Sequence, residues 1–292
     1  MKAILVPTDF SITADNAARY AMHLAREMHT NLELCNAIKI PIEALAAAQV
    51  VWPLEDYSAI KNSVTEELSF LSEKLELEDR AITGPQSYHP IASYTSEIGS
   101  VNDVVRNIVD EQKTNLVVMG MPGMSGLSRL VLGSSSRDMI DIASFPILLV
   151  PSNTPFKKIN KIAFATDLSK GDIEVIHSLA SFAYYFNAEI LIAHITDEKF
   201  EKKTEQKKID AFLSEVTSKA NYPKIYYRHV KSIDVDHGLD WLSEHGLIDM
   251  LAMVHRPHHF LSKLINGSHT QKMATHITIP LLVFPPEYSG AI

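Results

Sequence analysis

Apolar and polar positions along this chain switch repeatedly between two periods. Residues 3–7, Ala-Ile-Leu-Val-Pro, form a continuous apolar run, as expected for a strand covered on both faces in a parallel sheet. Beyond Ser11, the residues Ala14, Ala18, Ala21, Met22, Ala25 and Met28 fall at helical spacing. This predicts a helix with Ser11 as its N-cap. The same reading predicts strands at 32–37, 91–95, 116–119 and 147–150, and helices at 64–75, 101–109 and 134–142. Alternating strands and helices imply parallel strands joined by right-handed crossovers.

The pattern then starts again. Ala3-Ile4-Leu5-Val6-Pro7-Thr8-Asp9-Phe10-Ser11 is matched by Lys161-Ile162-Ala163-Phe164-Ala165-Thr166-Asp167-Leu168-Ser169. Gly133-Ser134 is matched by Gly267-Ser268, and the apolar run after Pro146 by the run after Pro280. Three landmarks in the same order indicate an internal repeat. The second copy predicts strands at 162–165, 190–194, 225–230, 250–254 and 281–284, and helices near 172–186, 208–219, 235–244 and 268–275. Asp9 and Asp167 are 158 residues apart, Gly133 and Gly267 only 134, so the first copy carries 24 extra residues, assigned to 38–75. Within these, the apolar stretch 42–52 reads as a short helix on the sheet edge, or as a flap. The polar segment 152–158, flanked by Pro151 and containing Pro155, marks the boundary and gives domains 1–154 and 155–292. The expected fold class is α/β, with two tandem doubly wound parallel five-stranded sheets of Rossmann-like type. Ligands of such sheets bind beyond the carboxyl ends of the strands, where Asp9 and Gly120 both fall.

A chain of 292 residues with 46% apolar and 21% charged residues has ample material for two cores. Its net charge of −8 argues against a nucleic-acid partner. No run approaches the ~18 apolar residues that span a bilayer, and the start lacks a signal-peptide pattern, so a cytoplasmic protein with no membrane partner is expected. Cys35 is the single cysteine and reads as a small buried hydrophobe.

The segment from Leu116 to Ser136 is the most informative for chemistry. It runs from a strand through a glycine-rich loop to a helix start. Gly120, Gly123 and Gly133 let the backbone approach a ligand closely. Ser134 and Ser135 open a helix whose free N–H groups form an anion site. No Gly-Lys-Ser/Thr follows, so this is not a Walker A loop. Glycine spacing alone fits a ligand-free loop equally well.

The loop resembles the universal stress protein motif Gly-x2-Gly-x9-Gly-Ser/Thr, which Gly120, Gly123 and Gly133-Ser134 match without a gap. Pro7-Thr8-Asp9 is similar to the family's opening strand, and Phe145–Pro151 to its last. The resemblance implies ATP as ligand. Asp9, with Pro7 and Thr8, and the backbone of Ala37 would hold the adenine side. Met119, Gly120, Gly123, Gly133, Ser134 and Ser135 would hold ribose and phosphates. Mg2+ or Mn2+ would ride mainly on the phosphates, because no loop carboxylate is present to fix one. The resemblance also implies that the two halves pack through their last strands as an intrachain pseudo-dimer, with further pairing into a homodimer open.

In the second half, His255 and His258 are read as standing where Gly120 and Gly123 stand, in a loop one residue shorter. Little or no ATP binding is expected there. His255, Arg256, His258 and His259 read as a solvated polar loop, with an anion contact or a metal as minor alternatives. His194 reads as a packing residue, Asp167 as a turn or cap residue, the charged 201–208 run as a solvated helix lead-in, and Tyr226-Tyr227-Arg228-His229 as structural. No catalytic triad, base or metal motif is legible, so no enzyme activity beyond slow ATP hydrolysis is expected. A second reading is an interaction module of the same fold without nucleotide. A third, hydrolase, reading lacks the expected Ser-Gly-Gly-x-Asp-Ser loop.

Overall fold

A computed structural model describes residues 3–39, 54–112, 114–121, 134–152, 154–197, 203–233, 235–256 and 277–292. It comprises two compact units, Met1–Met119 and Gly120–Ile292. In the first unit the chain runs β1 (Ala3–Pro7), α1 (Ile12–Glu27), β2 (Asn31–Ile38), α2 (Leu54–Ile82), β3 (Ala92–Ile98), α3 (Val101–Gln112) and into β4 (Val117–Met121). The strands lie in the order β3-β2-β1-β4 and are parallel.

The sequence explains each element. Ser11 caps α1, its Oγ accepting from the Ala14 N–H at 3.2 Å. Ala14, Ala17, Ala18, Ala21 and Ala25 are buried along that helix, so it packs closely against β1 and β2. Helix α2 is much longer than the expected 64–75. Its buried Leu68, Leu71, Ser72, Leu75 and Asp79 keep one face on the core for longer than the apolar residues alone reveal. The stretch 42–52 lies outside the described residues.

Glu33 is a charged exception within the core of this unit. It points from β2 with only 6% exposure and meets Ser93 on β3. Burial pushes its carboxyl above the ordinary range, partly offset by the Ser93 hydrogen bond. An acid whose folded pKa is raised makes the fold less stable as pH rises from the unfolded-state value through the folded one. Glu33→Gln should therefore gain stability relative to wild type over that rise and then plateau. Urea denaturation at a series of pH values checks this. A difference that does not change with pH contradicts it.

The second unit runs α4 (Ser134–Ile142), β5 (Ile147–Pro151), β6 (Lys161–Thr166), α5 (Gly171–Phe186), β7 (Glu189–Asp197), α6 (Lys203–Lys219), β8 (Ile225–Ser232), α7 (Val235–His245), β9 (Met250–Val254) and β10 (Leu281–Phe284). Its strand order is β5-β10-β9-β6-β7-β8. Neighbours are parallel except β5 and β10, which run antiparallel with Leu281 opposite Leu149 and Val283 opposite Ile147. The last strands of the two sequence repeats thus pair with each other. This pairing places β5 in the second unit although its sequence belongs to the first repeat. Helix α6 begins inside the charged lead-in, and the helix expected at 268–275 lies outside the described residues. On β8 the Arg228 guanidinium sits 5.4 Å from the centre of the Trp241 ring, a packing role for that aromatic run. Among the described residues, no helix is long and apolar enough to cross a membrane.

Candidate functional site

In the first unit the chain steps from β1 outward to β2 and β3, then places β4 on the other side of β1. Direction reverses between β1 and β4, and the crevice beyond their carboxyl ends is where such sheets take ligands. Pro7 ends β1. The Thr8 N–H donates to the Cys35 carbonyl at 2.8 Å, and Asn36 Nδ2 donates to the Thr8 carbonyl at 2.8 Å. The turn that follows is closed by two short bonds. Phe10 N–H donates to Thr8 Oγ1, and Ser11 N–H to Asp9 Oδ1, each at 3.0 Å. Phe10 is held at φ +61°, a conformation bulky residues seldom adopt. Asp9 is exposed, and among the described residues it has no ion pair.

The structure therefore gathers Pro7, Thr8, Asp9, Ala37 and Met119 at the carboxyl ends of adjacent parallel strands. Gly120 is the next residue of β4, and Ser134 and Ser135 open α4 as expected. Gly123, Gly133 and Arg129 lie outside the described residues. Asn36 escaped the sequence reading, since a single Asn in a strand carries no pattern. Cys35 is buried, and burial, then Glu33 and Glu97, push its thiol up. Thr8 and Phe10 also border a cleft of about 410 Å3 beside Asp15, Glu67, Phe70 and Lys74. Its carboxylates make it a poor phosphate site.

The second unit repeats the turn almost atom for atom. Leu168 N–H donates to Thr166 Oγ1 at 2.9 Å and Ser169 N–H to Asp167 Oδ1 at 3.0 Å, with Leu168 at φ +62°. His194 Nδ1 lies 2.9 Å from the Thr166 carbonyl, the place Asn36 holds against Thr8. A carbonyl only accepts, so Nδ1 carries the proton.

What fills the crevice is different. Arg256, just past β9, donates through Nη1 to Asp167 Oδ1 at 3.1 Å and through Nη2 to Asp172. Asp172 is 0% exposed, and Thr166 Oγ1 donates to its other oxygen at 2.6 Å. Burial raises the Asp172 carboxyl, opposed by the Thr166 hydrogen bond and the Arg256 charge. His255 is 4% exposed. Its N–H donates to the Phe284 carbonyl at 2.8 Å, and its Nε2 stands 3.0 Å from Asp141 Oδ1. Burial pushes the imidazole pKa down against the pull of Asp141.

Two expectations are corrected here. His255 and Arg256 are not a solvated loop: His255 is buried, and Arg256 is held by the buried Asp172 and the exposed Asp167. Nor does His255 stand where Gly120 stands. Leu5 pairs with Val117 on β4, and its counterpart Ala163 pairs with Leu251 on β9. That register sets Val254 opposite in role to Gly120 and leaves no residue missing before Gly267. His258 and His259 lie outside the described residues. Among the described residues no three ligating side chains converge on a metal position.

The universal stress protein family model matches residues 1–151 and again 158–285. The chain belongs to the universal stress protein family. It is 26% identical to a universal stress protein of Methanocaldococcus jannaschii over 151 residues, 51% of this chain and 81% of that one. It is 27% identical to universal stress protein YxiE of Bacillus subtilis over 149 residues, 50% of this chain and 97% of that one. A solved universal stress protein of Archaeoglobus fulgidus superposes over 99% of this chain and 98% of its own with a TM-score of 0.71 at 17% identity, a likeness of fold. The Rossmann-like α/β fold and its duplication in this universal stress protein are thereby shown.

Proposed function

We propose that this universal stress protein is a regulator that binds one ATP, in its first half, and that its second half keeps the fold without the nucleotide. The observation that carries the reading is the run Gly120-x2-Gly123-x9-Gly133-Ser134, which leaves β4 and ends where α4 opens at Ser134. A helix start with free N–H groups beyond a glycine loop suits a polyphosphate. Asp9 supports it, because its carboxylate is exposed and available to an adenosine hydroxyl or amine. Ala37, Met119 and Ser135 complete the proposed set, with Mg2+ or Mn2+ carried on the phosphates. The reading is of a binding protein with at most slow hydrolysis, working in the cytoplasm. The interaction-module reading is favoured only for the second half, where Arg256 occupies the crevice.

The test begins with purified protein, denatured so that released nucleotide is identified by mass spectrometry. ATP is then titrated calorimetrically into stripped wild type and Gly123→Val. One ATP per chain is expected, with affinity reduced about 100-fold or more, about 2.7 kcal/mol, in the variant. No heat at millimolar ATP in wild type would sink the proposal.

A further inference from the structure

The two Thr-Asp-x-Ser turns share bonds, distances and backbone strain, yet they differ in what faces them. In the first unit Asp9 is exposed with no ion pair among the described residues. Six residues after the turn threonine stands Ala14, small and buried. In the second unit the same position holds Asp172, and Arg256 reaches both Asp172 and the Asp167 oxygen that closes the turn. These residues come from three places, namely the end of β6, the first turn of α5 and the residue pair after β9. They meet at the second reversal of strand order, between β6 and β9.

We propose that Arg256 is the specificity residue that limits this chain to one nucleotide: its guanidinium occupies the second crevice as an internal ligand, held between Asp167 and Asp172. The proposal rests on the ATP reading for the first half only in its choice of probe. Two things follow from the geometry. Asp167 Oδ1, which closes the turn, also carries the Arg256 guanidinium, which Asp9 Oδ1 does not have beside it among the described residues. The crevice also carries two acids against one cation, an arrangement that repels phosphates. Removing Arg256 alone leaves both acids in place and does not open the site. Opening requires removal of the pair.

Val254, in the place of Gly120, is the rival cause, because its side chain fills space that the glycine leaves to a ligand. Adenosine separates the two causes, since it needs neither phosphate loop nor metal. It is titrated into the full chain as wild type, as Val254→Gly, and as Val254→Gly with Asp172→Ala and Arg256→Ala. The proposal expects one site per chain in the first two and two sites in the third. A second site in Val254→Gly alone overturns it, as does a single site in a triple variant that melts as cooperatively as wild type. Asp172→Asn with Arg256→Ala on Val254→Gly clears the guanidinium while keeping the contact to Thr166, and serves as a second test should the alanine pair not fold. Wild type that takes no ATP overturns the ATP reading, while an adenosine site gained by the triple variant alone would still uphold the role of Arg256.

Discussion

Arg26→Met should lower folding stability by about 3–5 kcal/mol, because it strands a buried charge. Asp79 on α2 is only 2% exposed at its side chain and receives Arg26 Nη1 at 2.6 Å and His89 Nδ1 at 3.1 Å. Arg26 also donates through Nη2 to His23 Nδ1 at 3.0 Å, so that imidazole accepts there and is neutral. Burial, then the Arg26 charge, push the His23 pKa down. The network fastens α1 to α2 and to the segment entering β3. With arginine gone, the aspartate keeps only one partner in a place water barely reaches. The paired change Arg26→Met with Asp79→Leu removes both charges and should cost less than about 1 kcal/mol. Urea midpoints of the single and double variants decide the matter. Equal losses in both would show that packing, and not the stranded charge, holds the helices.

Arg256→Ala should cost about 3 kcal/mol at neutral pH, and the loss should shrink toward acid. Asp172 is already raised by burial with Arg256 in place. Without the guanidinium, less opposes that rise, and the interval between unfolded and folded values widens. A raised acid weakens the fold as pH climbs through that interval. The variant should therefore approach wild type below the ordinary carboxylate range and fall behind above it. Asp172→Asn in the same background should recover most of the loss, because an amide keeps the Thr166 contact without the charge. A deficit that is the same at acid and neutral pH would refute the account.

Both predictions turn on ion pairs absent from any sequence pattern. Arg26 and Asp79 are 53 positions apart, and Arg256 lies 89 from Asp167 and 84 from Asp172. Nothing in a charged residue's near neighbours says which distant carboxylate it will meet. By contrast Ser11 as the cap of α1 was legible, because its bond joins residues only three apart. The helix start at Ser134 was legible for the same reason.

The extent of α2 shows the middle ground. Leu68, Leu71 and Leu75 announce a helix, while Ser72 and Asp79 on the buried side look polar and hide its continuation. They are buried because each has a partner elsewhere, Ser72 donating to the Ala92 carbonyl at 2.5 Å and Asp79 holding Arg26.

The sequence by itself determined the order of strands and helices, the duplication, the glycine run between β4 and α4 and the family. These depend on periodicity and short spacings, which the chain carries locally. The resemblance implied that the last strands of the two halves meet, but the tertiary structure alone decided their antiparallel register, that Val254 and not His255 takes the place of Gly120, and that Arg256 fills the second crevice. Each of these depends on which strand lies beside which and in what register, and that is set by burying the whole apolar surface at once.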